Sequence, residues 1–289
     1  MLRARYRRIV LFFSRMLISI AIWDIILPRI GFRKLSDRTR PKRLKRSAIA
    51  YRSLAIQMGG VLIKVGQFLS SRVDILPLEF TQELAGLQDE VPPESFDDIR
   101  KVAEDEFGIP LEEKFAAIEV KPLAAASLGQ VHRARLHVSS KQPWGEDVVV
   151  KVQRPNIENI IETDMAALRT VGGWLDRYGS IRRRADIPAL LEEFTKILNQ
   201  EIDYLSEGQN AEIFAANFEN YPAIRVPNVV WTHTTKRTLT LENVWAIKIT
   251  DYDDITAAGI SRKEVASRLL DTYLKQIFED GFFHADPHP

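Results

Sequence analysis

The chain has 289 residues, 45% hydrophobic and 27% charged, the make-up of a soluble globular protein with one or two domains and a real core. It contains no cysteine, which excludes disulfides, thiol catalysis and Cys-based metal centres. The formal net charge of +1 hides an asymmetry: residues 1–46 hold fourteen Lys or Arg against Asp24 and Asp37, a net of +12, so the remainder carries −11.

Such an arm is suited to an anionic surface. Its apolar residues run from Ile9 to Phe13, Met16 to Trp23 and Ile25 to Leu27, interrupted by Arg15 and Asp24. A bilayer-spanning helix needs about 20 mostly apolar residues, so the arm is expected to lie in the membrane interface as a basic amphipathic helix. The run Arg38–Arg46 adds attraction to anionic lipid, about 1 kcal/mol per basic residue near the surface. No small-residue cleavage site follows, against a secretory signal. A helix packed on the body, or a nucleic-acid tail, are the alternatives. The basic run lacks interleaved aromatics, so nucleic acid is not the expected partner.

From Ser47 to Leu69 the residues Leu54, Met58, Leu62, Val65 and Leu69 recur at helical spacing. Pro77 ends that region, a helix is expected over Leu78–Gln88, and Pro92-Pro93 break the chain. Ser95 with Asp98 three residues on reads as the N-cap of a helix through Phe107, punctuated by Gly108 and Pro110. Strands then follow: Val131–Val138 and Val148–Val152 flank the polar link Ser139–Pro143 as a hairpin. Helical periodicity returns over Ile157–Arg177 and Pro188–Phe218. Short strands are expected near Ile224–Trp231 and Arg237–Glu242. A last helix, Arg262–Asp280, carries Val265, Leu269, Tyr273 and Ile277 on one face, with Gly281 placed to end it.

Four segments carry chemistry. Leu123-Ala124-Ala125-Ala126-Ser127-Leu128-Gly129-Gln130-Val131 matches a glycine-rich phosphate loop with Ala124 and Ala126 in the first two glycine places and Gly129 in the third. Alanine keeps such a loop small, but its Cβ restricts positive φ, so phosphate contact should differ. An Ala-rich loop packed on a neighbour is the plain alternative. Lys151 stands among four valines, twenty residues after Val131. Strand alternation turns it away from Val148, Val150 and Val152, and burial would require a negative partner; an exposed edge lysine is the alternative. Glu201, Asp203 and Glu207 offer that partner, or else form a solvent-facing acidic stripe. Finally, His284-Ala285-Asp286-Pro287-His288-Pro289 places an Asp two residues after a His, where a catalytic loop of the H-x-D-x-x-x-x-N kind keeps its base. Read by itself it is a loop or a His/Asp metal site.

Together with Lys64-Val65-Gly66-Gln67, these segments resemble the UbiB/ADCK family of atypical kinase-like proteins, from about Ala48 to Pro289. That family is marked by K-x-G-Q, an alanine loop, E-x-D (here Glu201-Ile202-Asp203) and an H-x-D-P-H-P-G-N catalytic loop. The resemblance implies an α+β, protein-kinase-like fold. Residues 1–46 would be a basic arm, 47–120 a helical K-x-G-Q extension, 121–242 a complete N-lobe, and 243–289 a hinge and the start of a truncated C-lobe. It implies ATP or ADP with Mg²⁺ as cofactors and ATPase activity in isoprenoid-quinone or prenyl-lipid metabolism. Partners would be a membrane, peripherally on its cytoplasmic face, and proteins of that metabolism. Asp286 would be the catalytic Asp and Lys151 the phosphate-binding lysine. Ala124, Ala125, Ala126, Ser127, Gly129 and Val131 would line the nucleotide with Glu207, and Glu242 and Val244 would form the adenine hinge. The K-x-G-Q helix would fold over the cleft with Lys64 and Gln67 pointing into it, Lys64 meeting the acidic region of Glu201 and Asp203. Which of Glu201 and Glu207 pairs with Lys151 stays open. No metal ligand is expected before Pro289, where the metal-binding Asn and the D-F-G-type Asp would follow. The chain by itself is therefore expected not to turn over. A pseudokinase-like lipid-binding or scaffold protein is the rival.

Overall fold

A computed structural model describes residues 2–71, 77–88, 91–138, 146–183 and 186–285. Helix α1, Leu2–Ile20, continues through a π turn at Ala21–Ile26 into α2, Leu27–Arg29. Arg15 and Asp24 do not interrupt it. Arg15 is exposed, and Asp24 is neutralised by Arg43 at 3.1 Å and Arg40 at 3.7 Å. The resulting helix, Leu2–Arg29, is long and apolar enough to cross a membrane by length and composition.

One face of α1 nevertheless belongs to the protein interior. Ile9 and Phe13 are buried, and Arg5 donates from Nε and Nη2 to both oxygens of Asp164, each at 2.6 Å. Arg5 also donates to the carbonyls of Met58 (2.5 Å) and Gly59 (3.0 Å). Asp164 is fully buried; desolvation pushes its carboxyl pKa up, and Arg5 opposes that shift.

Helix α3, Arg33–Met58, runs without a break past residue 46. It is separated from α4, Val61–Ser71, by Gly59 and Gly60 at φ 62° and 66°. The helical spacing over Ser47–Leu69 therefore spans two helices. The four-residue spacing carries Leu54 and Leu62 into the same core on either side of a left-handed glycine pair, so periodicity conceals the turn. Helix α5, Leu78–Ala85, ends in a 3₁₀ turn at Gly86–Gln88. With α8 (Ile157–Asp176) and α10 (Ile187–Glu201), these helices enclose one core that includes Tyr51, Leu62, Leu84, Ile161, Met165 and Leu198.

A second core lies under an antiparallel sheet. Its strands are β1 (Ala117–Ile118), β2 (Ala124–Ala125), β3 (Gly129–Arg135), β4 (Asp147–Gln153) and β5 (Thr238–Glu242). They run in the order β1-β3-β4-β5, with β2 also pairing β3. Val148, Val150 and Val152 face Ile99, Val102 and Ala103 of α6, Phe96–Phe107. Ser95 caps α6 as the sequence indicates, accepting from the Asp98 N–H, and Gly108 ends it at φ 70°. A short helix, α7 (Leu111–Lys114), leads into β1. The hairpin link Ser139–Pro143 lies outside the described residues. Of the strand expected over Ile224–Trp231, only a Val229–Leu241 bridge and a 3₁₀ turn at Trp231–His233 form. Pro222 and Pro227 remove the donors a longer ladder needs.

Short helix α9, Gly179–Arg182, follows α8. The helix expected over Pro188–Phe218 is two: α10, then α11 (Tyr204–Asn217), divided at Ile202-Asp203. Beyond β5 come α12 (Tyr252–Ala257) and α13 (Arg262–Lys275), the latter prolonged by a π turn at Gln276–Asp280 that Gly281 ends at φ 62°. Leu269, Leu270 and Leu274 of α13 are exposed.

Candidate functional site

Lys151 lies on β4, in register with Val131 of β3. Its valine neighbours are buried against α6, so strand alternation sends the lysine to the opposite face. There Nζ meets both carboxylate oxygens of Glu207, at 2.8 and 2.7 Å, and lies 4.7 Å from the Tyr204 ring centroid. Glu207 is placed by the start of α11. Asp203 caps that helix, accepting from the Ser206 N–H at 3.3 Å and its hydroxyl at 3.0 Å. Gly208 lets the same turn approach Trp231, since a Cβ there would sit 2.9 Å from the indole. The open choice is thereby settled: Glu207 pairs with Lys151.

Glu201 pairs instead with Lys64, from the K-x-G-Q helix α4. Gln67 does not follow Lys64 to the acidic residues; its amide donates to the Leu87 carbonyl at 3.2 Å. Gly66 lies between them because a Cβ would meet Leu87 Cδ1 at 2.2 Å, so only glycine lets α4 close on the turn after α5. The Glu-Ile-Asp triplet thus divides its work: Glu201 ties α4 to the end of α10, and Asp203 starts the helix that carries Glu207.

The alanine loop is a tight hairpin. Ala124 and Ala125 pair with Val131 and Gln130, and the Ala126 N–H donates to the Gly129 carbonyl at 2.8 Å. None of residues 124–129 has positive φ. The tip turns inward: Ser127 and Leu128 are buried, and Leu128 joins the core of the helical extension. Arg154, which sequence reasoning missed, holds the tip there. It donates to the Ala126 carbonyl (3.0 Å), the Pro92 carbonyl (2.7 Å) and Glu94, while its own N–H bonds the Leu128 carbonyl at 3.0 Å. The only signal in the sequence was an arginine closing a valine strand before Pro155.

Tyr204 was missed as well. Its ring packs under the loop, where a Cβ on Gly129 would lie 2.2 Å from its hydroxyl. That hydroxyl is buried with no hydrogen-bond partner among the described residues, and burial, with Glu207 and Glu201 nearby, raises its pKa well above the ordinary tyrosine value. Beside the loop, His132 donates from Nδ1 to the Glu119 carbonyl (2.8 Å) and accepts from the Gln130 amide at Nε2 (2.9 Å). Gln130 Oε1 in turn accepts from the Glu94 N–H at 2.9 Å. Burial lowers the His132 pKa.

At the hinge, Glu242 is buried and its carboxylate is taken by Arg225 and by Asn228, whose side chain donates at 2.6 Å; what remains for a ligand is the backbone running to half-buried Val244. Asp286 lies outside the described residues. The segment leading to it is anchored: the Phe282 ring packs at a tilt against Phe214 of α11, centroids 4.9 Å apart, and the His284 N–H donates to Gln276 Oε1 at 3.0 Å. Among the described residues, no three His, Asp or Glu gather to hold a metal ion.

A five-stranded antiparallel sheet, a strand lysine paired to a glutamate of α11, and a small-residue hairpin beside them define a kinase-like lobe. Comparison with known proteins makes the class specific. Residues 86–289 match the ABC1 atypical kinase-like domain, and the chain belongs to that family. It is 39% identical over 282 residues to the Arabidopsis thaliana chloroplastic protein ACTIVITY OF BC1 COMPLEX KINASE 7, covering 94% of this chain and 40% of that one. A Pseudomonas paraeruginosa protein named "Probable protein kinase UbiB" is 39% identical over 264 residues, covering 91% and 46%. The UbiB/ADCK resemblance is therefore confirmed, and the chain spans under half the length of these relatives. The solved Rv3197–erythromycin complex from Mycobacterium tuberculosis shares the fold, with a TM-score of 0.51 and 24% identity over 88% of this chain and 62% of that one.

Proposed function

We propose that this chain is the nucleotide-binding portion of a UbiB-type ATPase that works at a membrane surface in isoprenoid-quinone or prenyl-lipid metabolism. The observation that carries the reading is the bidentate Lys151–Glu207 pair. Both side chains are partly solvated, at 27% and 38% exposure, so the ammonium is held in place yet open to a phosphate. Lys151 would hold the phosphates of ATP, with the small side chains of Ala124 and Ala126 beside them and the 243–244 backbone at the adenine. Bound nucleotide supplies the transferable γ-phosphoryl group, and Asp286 would orient the attacking water. Mg²⁺ would require ligands beyond those described. The basic arm and a Leu2–Arg29 helix whose first half is held in the protein core support peripheral attachment to a membrane, which we place on its cytoplasmic face.

The reading is tested by titrating the chain with fluorescent mant-ATP. Lys151→Met should weaken binding at least tenfold; an unchanged affinity would overturn the nucleotide assignment. A second reading has one observation in its favour. The loop tip is held down by Arg154, as in a protein using nucleotide as a conformational ligand. ATP hydrolysis by a chain extended to the length of its relatives, abolished by Asp286→Asn, separates the two; hydrolysis that survives the substitution removes Asp286 from the chemistry.

A further inference from the structure

Helices α1 and α3 leave a groove of about 360 Å³ between them, lined by Arg8, Leu11, Phe12 and Arg15 from α1 and by Ala50, Leu54 and Gln57 among others from α3. Its floor is apolar and its side chains include two guanidiniums and no carboxylate. Arg8 donates to the neutral Gln57 amide oxygen, and among the described residues neither Arg8 nor Arg15 has an acidic partner. The contrast with Arg5, on the same helix and consumed by Asp164, is sharp. On helical geometry Arg8 and Arg15, seven residues apart, lie on one face about 10 Å apart along the axis, with Leu11 and Phe12 between them. Leu11, Ile18 and Ile22 form an adjoining exposed apolar ridge, whereas Ile9 and Phe13 face the core. Arg3 and Arg7 are exposed on the same helix and do not line the groove.

We infer that this groove binds one anionic phospholipid, its headgroup phosphate held by Arg8 and Arg15 and the start of its acyl chain laid along Leu11, Phe12 and Leu54. Charge complementarity selects the occupant. A fatty chain alone would leave two arginines unused, and a soluble phosphate would leave the apolar floor uncovered. The ridge beside the groove would sit in the interface at headgroup depth, which brings the opening to the lipid. The inference extends the membrane part of the proposed function, but the groove is testable without a bilayer.

Dihexanoyl phosphatidylglycerol, kept below its micelle concentration, is titrated against the full chain by NMR or calorimetry, with inorganic phosphate and dihexanoyl phosphatidylcholine in parallel. Arg8→Gln/Arg15→Gln should weaken binding of the anionic lipid at least tenfold. Arg3→Gln/Arg7→Gln, which removes the same charge elsewhere, should change it less than twofold. Ala50→Phe, which fills the groove and keeps the charge, should also lose binding, with thermal melts confirming that each variant folds. Equal losses in the two arginine pairs, undiminished binding in Ala50→Phe, or inorganic phosphate competing as well as the lipid would each overturn the inference. Co-sedimentation with phosphatidylcholine vesicles containing phosphatidylglycerol tests the membrane reading separately. A chain that binds the short lipid but not vesicles keeps the groove and loses the attachment.

Discussion

Tyr204 and Gly129 show how one residue's identity can be set by another's. The Tyr204 hydroxyl is buried with no partner among the described residues and occupies the space a Cβ on Gly129 would take. Gly129→Ala should destabilise the chain by about 1–3 kcal/mol through overpacking. Tyr204→Phe should be neutral or slightly stabilising, because it removes an unsatisfied polar group. Combined, the second substitution should recover part of the first loss, a non-additivity that a double-mutant cycle by urea denaturation would measure. Additive losses would mean that the hydroxyl and the loop do not meet. His132 adds a pH dependence. Its pKa is lowered by burial, so at mildly acidic pH the unfolded chain binds more protons than the folded one. Stability should be full above the ordinary histidine value of about 6.5 and fall as pH drops through it towards the lower folded value. Protonating Nε2 would also set an N–H against the Gln130 amide and disturb its bond with Glu94. Melting temperatures between pH 8 and pH 5 should fall less steeply in His132→Gln than in the parent; parallel curves would exclude His132 as the source.

Between elements, single side chains do the fastening. Arg5 joins α1, the end of α3 and α8, and Asp164 is a buried carboxylate whose ion-pair partner among the described residues is Arg5. Asp164→Ala should cost about 3–5 kcal/mol, since it leaves Arg5 unpaired in a part-buried position. A loss below 1 kcal/mol in chemical denaturation would show that Arg5 finds water instead. Arg154 fastens the alanine loop to Pro92 and Glu94. If that clamp holds the tip inside the helical core, Glu94→Gln should raise protease access at Ser127-Leu128 and change mant-ATP affinity at least threefold; unchanged values in both would mean that the core contacts of Leu128 suffice.

For the whole molecule, charge and burial bear on where α1 can lie. Leu2–Arg29 has the length and composition of a span, yet its first half shares a core with α8 and α3 through Arg5, Ile9 and Phe13. A helix fixed along one side to the protein has only the other side to offer to lipid. Vesicle binding should therefore be salt-sensitive and reversible, as for an interfacial helix; resistance to alkaline carbonate extraction would indicate a span.

Much of the site was legible in the chain because its determinants are local. Strand alternation turned Lys151 away from three valines, the Ser95 cap opened α6, and motif order brought the alanine loop, Lys151, Glu201 and Glu207 into one family pattern. Composition alone separated a basic arm from an acidic body. Only the tertiary structure decided which glutamate takes which lysine, because Glu201 and Glu207 lie on either side of a helix break that periodicity cannot see. It alone decided that the loop tip folds into the helical core under Arg154, and that Arg5 is spent on Asp164 while, among the described residues, Arg8 and Arg15 have no acidic partner. Those outcomes depend on contacts between residues 28 to 159 positions apart. A sequence constrains which side chains can pair; packing in three dimensions selects the pairs.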